Sequence, residues 1–154
     1  MPTIRLADHD DVPALANLLG ELFAQEHEFA PERTVQARGL RMLLDQGNAV
    51  RVLAAEQDGR VVGMGILHYA VSTALGCRVA NLEDVIVTKS ARGKGIGKIL
   101  MAGIIERARA DGVQRITLLT DHDNTVGQAF YRSFGFTRST MIPFRRMLAH
   151  SLTA

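Results

Sequence analysis

"LEDVIVTKSARGKGIGKIL", Leu82 to Leu100, decides how this chain is read. It opens on a β-branched apolar run and passes into a turn with glycine at alternate positions, Gly93, Gly95 and Gly97. Arg92, Lys94 and Lys98 ring the turn with positive charge. Ile96, Ile99, Leu100, Gly103 and Ile104 then fall at i, i+3, i+4, i+7 and i+8, one face of a helix. Strand, bare turn and helix in that order make an anion cradle. Successive backbone N–H groups converge, and the helix N-terminus adds the positive end of its dipole.

Downstream, Asp111-Gly112 ends the helix and "RITLLT", Arg115 to Thr120, reads as a buried strand. Strand–helix–strand makes the two strands parallel with a right-handed crossover. Upstream, Ala49–Gln57 and Arg60–Val71 flank Asp58-Gly59, a strong hairpin signal. Val79–Thr88 follows through a second turn, so this part of the sheet is antiparallel. Before it, Thr3–Ala7 reads as a strand, and a helix follows with Asp10 or Asp11 as its cap and Pro13 in its first turn. That helix fades near "HEFAPE", and a second runs from Thr34 to Gln46. "NTVGQAFYRSFGF" gives a short helix ending at Gly135, and Thr137 to about Leu148 reads as one or two strands interrupted by Pro143. The fold class is α/β: a mixed, mostly antiparallel sheet with a central parallel β-α-β unit and helices on both faces. The whole length, 1–154, reads as one domain.

Spacing sorts the phosphate-binding motifs. A dinucleotide fingerprint needs G-x-G-x-x-G, and "GKGIGK" fails it. A P-loop needs Lys then Ser or Thr after its second glycine, whereas Lys98 precedes Ile99. A kinase glycine loop joins two strands, and this one opens a helix. What remains is R-x-x-G-x-G at Arg92, Gly95 and Gly97. With its flanking strand and helix it resembles the pyrophosphate signature of the GCN5-related N-acetyltransferase superfamily. A second segment agrees: Asn124, Phe130, Tyr131 and Gly135-Phe136 make N-x(5)-F-Y-x(3)-G-F, similar to the second cofactor motif of that family. Gly127 departs from it, standing where the family often has alanine, at a helix cost of up to ~1 kcal/mol.

The resemblance implies that acetyl-CoA is the co-substrate. Its pyrophosphate would meet Arg92, Gly93, Lys94, Gly95, Ile96, Gly97 and Lys98, and its pantetheine the backbone of Val85, Ile86 and Val87, with Asn124, Phe130 and Tyr131 completing the site. It implies direct acetyl transfer to a primary amine of a small molecule, with a carboxylate as base and Tyr131 as the acid that protonates the departing thiolate. Glu83 and Asp84 interrupt an apolar strand, and neighbours on a regular strand point to opposite faces. One acid then faces inward unless the strand bulges, as it does in the family. Glu83 is the first choice as base, and a backbone N–H near Val85 would serve the oxyanion. The plain structural alternative for the two acids is an ion pair with an arginine such as Arg78. A protein lysine or N-terminal acetyltransferase is the alternative activity, and a non-catalytic acyl-CoA sensor the alternative class. Loss of the tyrosine or of the strand acids would mark such a sensor, and all three residues are present. A homodimer is also what the family implies.

Composition narrows the rest. Eighteen Lys+Arg against sixteen Asp+Glu leave a formal charge of +2, with the basic residues dispersed, so no nucleic acid is expected as a partner. No apolar run approaches the ~20 residues of a membrane span, and "MPTIRLADHDD" has no signal-peptide pattern. One cysteine, Cys77, makes no internal disulfide and sits in a turn without a His–acid partnership, so a cytoplasmic location and no thiol nucleophile are expected. "DHDD" and "DHD", at Asp8–Asp11 and Asp121–Asp123, lack zinc spacing, so no metal is expected. For the acceptor, Glu21, Glu26, Glu28 and Glu32 suit a cation, whereas Arg38 and Arg41 suit an anion.

Overall fold

The computed structural model of the chain describes residues 1–26 and 31–149. Of the "HEFAPE" stretch near which the first helix was expected to fade, residues 27–30, Glu28 among them, lie outside that set. Two compact units emerge, Met1–Leu119 and Thr120–Ala154.

The first unit holds β1 (Thr3–Leu6), α1 (Val12–Gln25), α2 (Arg33–Leu44), β2 (Val50–Gln57), β3 (Arg60–Ser72), β4 (Cys77–Val87), α3 (Ile96–Ala110) and β5 (Val113–Leu118). The strands form one sheet in the order β1-β2-β3-β4-β5. All neighbours are antiparallel except β4 and β5, which are parallel and joined through α3 as the sequence predicts. The β2–β3 hairpin turns on Asp58 and Gly59, both at positive φ (52° and 74°), the backbone that a two-residue turn of this hand needs. The parallel pair lies at the edge of this sheet rather than at its centre.

Alternation along the strands assigns the two faces. Val50 and Val52 of β2, Met64 and Ile66 of β3 and Ile86 of β4 pack with Val12, Leu15, Leu18, Leu19 and Leu40 of α1 and α2. On the other face α3 lies close to β3. A Cβ built on Gly63 would meet Leu100 Cδ2 at 3.4 Å, and one on Gly65 would meet Ile104 Cδ1 at 2.5 Å. Leu100, Met101 and Ile104 are fully buried there, each worth about 1.5–3 kcal/mol against exposure.

The cap of α1 differs from expectation. Asp8 caps a 3₁₀ turn at His9–Asp11 in a reciprocal capping box with Asp11. Asp11 makes no side-chain cap to α1. Its carboxylate instead accepts two hydrogen bonds from Arg5, at 2.8 and 2.9 Å. Ion pairing with a buried carboxylate outcompetes a local cap.

In the second unit, α4 (Thr125–Ser133) is capped by Asn124, whose side chain accepts from the Gly127 N–H at 3.0 Å. The strands expected between Thr137 and Leu148 are not formed: residues 137–149 carry no strand. A strand needs a ladder partner, an isolated hairpin is marginal in water, and Pro143 removes a donor midway.

Asp111, read from sequence only as part of a helix-ending turn, ties the end of α3 to three strands. Its carboxylate accepts from Arg51 Nε of β2 at 2.8 Å and from the Tyr69 hydroxyl of β3 at 2.6 Å. Arg78 of β4 donates to its carbonyl at 3.4 Å and lies 5.3 Å from the Tyr69 ring centroid. Burial works to raise the Asp111 carboxyl, but Arg51 and Tyr69 outweigh it and hold it below its ordinary value. A depressed carboxyl gives stability that is present above the unfolded-state pKa and lost as pH falls. Asp111→Ala should cost about 2–4 kcal/mol at pH 7 in urea unfolding, with the gap to wild type narrowing below pH ~4. Equal midpoints at neutral pH would show the clamp to be idle.

Candidate active site

The centre of the first unit's site is an irregularity in β4. Ile66 pairs with Glu83 and Met64 with Ile86, so Gly65 alone faces both Asp84 and Val85. Two residues against one is a β-bulge. Asp84 takes the extra turn with φ +56°, a left-handed conformation that Asp and Asn tolerate better than other side chains. The bulge resolves the conflict of two adjacent acids without placing either in the core. Glu83 stays exposed, with Oε2 3.3 Å from His68 Nε2. Asp84 is half-buried. Burial, with the charges of Glu83 and Glu26 adding to it, pushes its carboxyl up to about 6. Arg78 does not serve these acids, being engaged at Asp111 and Tyr69.

The bulge also lies just past the point where β4 outruns β5. Their parallel ladder runs from Arg78–Val113 to Leu82–Leu118 and stops. Val85, Ile86 and Val87 lie beyond the last pair with β5; on the β3 side Met64 faces Ile86 and Gly63 faces Val87, while Val85 belongs to the bulge. The glycine turn follows. Gly93 and Gly95 stand at φ +78° and +79°, where a side chain would be strained. Gly95 is the N-cap of α3 and provides no side-chain cap, and the first turn of the helix holds no acid. The N–H groups that begin α3 are therefore left to a ligand or water. Arg92, Lys94 and Lys98 are exposed around them, Gly97 is half-buried and Ile96 anchors the turn in the core at 2% exposure. Arg92 Nε donates to the Val87 carbonyl at 2.9 Å, tying the start of the turn to the end of the strand.

In the second unit, Asn124 caps α4 and also donates to Thr120 Oγ1 at 3.1 Å. Phe130 and Tyr131 are half-buried, their rings edge to face with centroids 5.7 Å apart, and Tyr131 meets Phe136 at 6.1 Å. Gly127 has a use of its own: the Asn124 side chain folds into the space that a Cβ there would fill.

The model of the acetyltransferase (GNAT) family matches residues 12–136, which takes in both motifs and most of the first unit. The chain belongs to this family. The Bacillus subtilis (strain 168) protein YhfO, an uncharacterized N-acetyltransferase, is 30% identical over 140 residues, covering 89% of this chain and 91% of that one. A glucosamine 6-phosphate N-acetyltransferase of Trypanosoma brucei brucei is 29% identical over 135 residues, covering 86% and 87%. Among solved structures, a Trypanosoma brucei acetyltransferase superposes with a TM-score of 0.73 at 26% identity, covering 96% of this chain and all of that one.

In this acetyltransferase, β4, its bulge and the turn bring Glu83, Val85–Val87, Arg92–Gly95 and the start of α3 into one continuous path. Asn124, Phe130 and Tyr131 share one helix and its cap. Two features escaped sequence reading. His68 sits beside Glu83. Glu21 of α1, grouped from sequence with the acids that suit a cationic acceptor, accepts from Thr88 Oγ1 at 2.7 Å and from the Lys89 N–H at 3.0 Å, holding the approach to the turn. No local pattern encodes a contact 67 or 68 positions apart. Among the described residues, no group of three His, Cys, Asp or Glu is placed to hold a metal ion, and no helix is long and apolar enough to cross a membrane.

A carboxyl raised above its unfolded value binds its proton more tightly in the native state, so stability falls as pH rises from about 4 to about 6. Asp84→Asn keeps a residue tolerant of positive φ and removes the charge. Its melting temperature should exceed wild type by a few degrees at pH 7.5, on the order of 1 kcal/mol after allowance for partial exposure. The difference should vanish at pH 4. A variant less stable than wild type at pH 7.5 would contradict the assignment.

Proposed function

We propose that the chain transfers the acetyl group of acetyl-CoA to a primary amine of a small molecule, and that both units act as one catalytic domain over 1–154. The observation that carries this is the pairing of an uncapped, acid-free helix start with a bulged strand that runs on past the end of its parallel neighbour. The first suits a pyrophosphate, and the second leaves backbone for the pantetheine amides at Val85, Ile86 and Val87. The small-molecule acceptor is supported by the relative named for glucosamine 6-phosphate, which aligns over most of both chains.

An ammonium has no lone pair, so a base must take its proton before attack. Asp84 supplies it: a half-buried carboxyl near pH 6 is partly protonatable in the working range and ionised above it. The amine nitrogen then bonds to the acetyl carbonyl carbon. The Val85 N–H, in the bulge, steadies the developing oxyanion. The C–S bond breaks, and Tyr131 gives its proton to the thiolate. That role for Tyr131 rests on its place in the Asn124–Phe136 motif. A second reading gives the proton to Glu83, the residue favoured from sequence, and its contact with His68 supports it.

Thiol release from acetyl-CoA against a panel of primary amines, with product masses, tests the activity. Acceleration by a small amine is expected. Acceleration by lysine peptides alone would make the acceptor a protein, and binding without acceleration would leave a sensor. Asp84→Asn should lower kcat/KM by about 10²–10³-fold and abolish the acid limb of the pH profile near 6, Glu83→Gln should cost less than about tenfold, and Tyr131→Phe should lower kcat by about 10–10². The opposite ranking of the two acids would move the base to Glu83.

A further inference from the structure

The turn that leads into α3 is held at its ends and bare between them. A Cβ built on Gly93 or Gly95 would meet nothing within 4 Å, so packing does not fix the backbone at those two positions. What fixes it lies on either side. Ile96 seats the far end in the core at 2% exposure. At the near end β4 stops at Val87, and a 3₁₀ turn follows at Lys89–Ala91. The Thr88 N–H between them donates to the Val62 carbonyl of β3 at 2.8 Å.

That 3₁₀ turn has no cap of its own. Thr88 opens it and is a residue type that often caps, yet its side chain makes no cap hydrogen bond. Its hydroxyl donates instead to Glu21 Oε2 at 2.7 Å. The second oxygen of the same carboxylate, Oε1, accepts from the Lys89 N–H at 3.0 Å. This is one of the donors that the start of a helical turn leaves without a partner. Glu21 thus supplies from α1 the cap that Thr88 does not supply locally. α1 packs on the sheet face that carries Ile86, and α3 lies on the opposite face. The contact therefore fixes the departure of the chain toward α3 against a helix on the other side of the sheet.

Charge does not account for the residue. A carboxylate near a cradle for pyrophosphate repels the ligand. Its two hydrogen bonds, each to a residue of the approach to the cradle, are what it contributes. We propose that Glu21 is a positioning residue for acetyl-CoA: through Thr88 and Lys89 it sets where the N–H groups of the Gly93–Gly97 turn stand relative to Val85–Val87. The inference rests on the reading that this turn takes the pyrophosphate. The pyrophosphate is far from the acetyl carbonyl, so Glu21 governs cofactor affinity and leaves the chemical step alone.

Calorimetric titration with acetyl-CoA, steady-state kinetics with an accelerating amine and amide hydrogen exchange of the free chain test this together. Glu21→Ala should weaken acetyl-CoA binding by about 10–100-fold. Its KM for acetyl-CoA should rise in step, with kcat at saturation and the KM for the amine within about threefold of wild type. In the free chain the Lys89 amide should exchange faster while α3 keeps its protection and the far-ultraviolet circular dichroism is unchanged. In Glu21→Gln the amide oxygen accepts from Lys89 and the NH₂ donates to the Thr88 hydroxyl, so binding should return to within about threefold of wild type. Thr88→Val removes one of the two hydrogen bonds and should fall between wild type and Glu21→Ala. Glu21→Ala binding acetyl-CoA like wild type overturns the inference, and so does Glu21→Gln binding as weakly as Glu21→Ala. A fall in kcat with an unchanged KM for acetyl-CoA does the same. Wild type that fails to bind acetyl-CoA overturns the reading of the turn itself, and the inference with it.

Discussion

The rest of the structure depends on the end of the ladder between β4 and β5. The ladder ends at Leu82–Leu118, the last residue of β5, and β4 continues past it to Val87. The bulge at Asp84 and Val85 follows within three residues of that last pair. It is held from both sides. Gly65 faces two residues at once, and its missing Cβ lets Ile104 of α3 lie against the sheet at that point. A side chain at Gly65 would press α3 off β3 at that point.

From that break the site is built outward. Beyond it, Ile86 and Val87 run with a ladder on one side only, and Arg92 anchors the turn to Val87. Glu21 reaches across from α1 to the first residues past the strand. The turn can then afford two left-handed glycines, because its ends are tied while its middle is bare. The two acids are divided by the same geometry: the bulge exposes Glu83 to solvent and His68 and half-buries Asp84. One strand irregularity accounts for the separate electrostatic environments of two adjacent carboxylates.

Much of this was legible in the residues. The 3.6 spacing of Ile96, Leu100 and Ile104, the Asp58-Gly59 turn and the order strand–glycine turn–helix–strand each have a local cause, and each stands in the structure with boundaries moved by a residue or two. The conflict of Glu83 beside Asp84 marked an irregular place in the strand, and the family resemblance rather than the alternation chose a bulge over an ion pair with Arg78. Other features have no local cause. The Asp111 clamp and the grip of Glu21 on Lys89 join positions far apart in the chain. The strands expected after Thr137 failed for a related reason: apolar alternation says that a segment suits a ladder, and the ladder's partner must come from elsewhere. The value of Gly127 was also hidden, since helix propensity counts only its cost and not the room it leaves for Asn124.

Amide chemical-shift mapping during titration with acetyl-CoA tests the central claim most directly. A cofactor held by the bare turn and the unpaired half of β4 predicts the largest saturable shifts at Gly93, Gly95, Ile96 and Gly97, continuing into Val85–Val87 and fading toward Arg78, where β4 and β5 are still paired. Saturable binding that leaves the Gly93–Gly97 amides unmoved would contradict it.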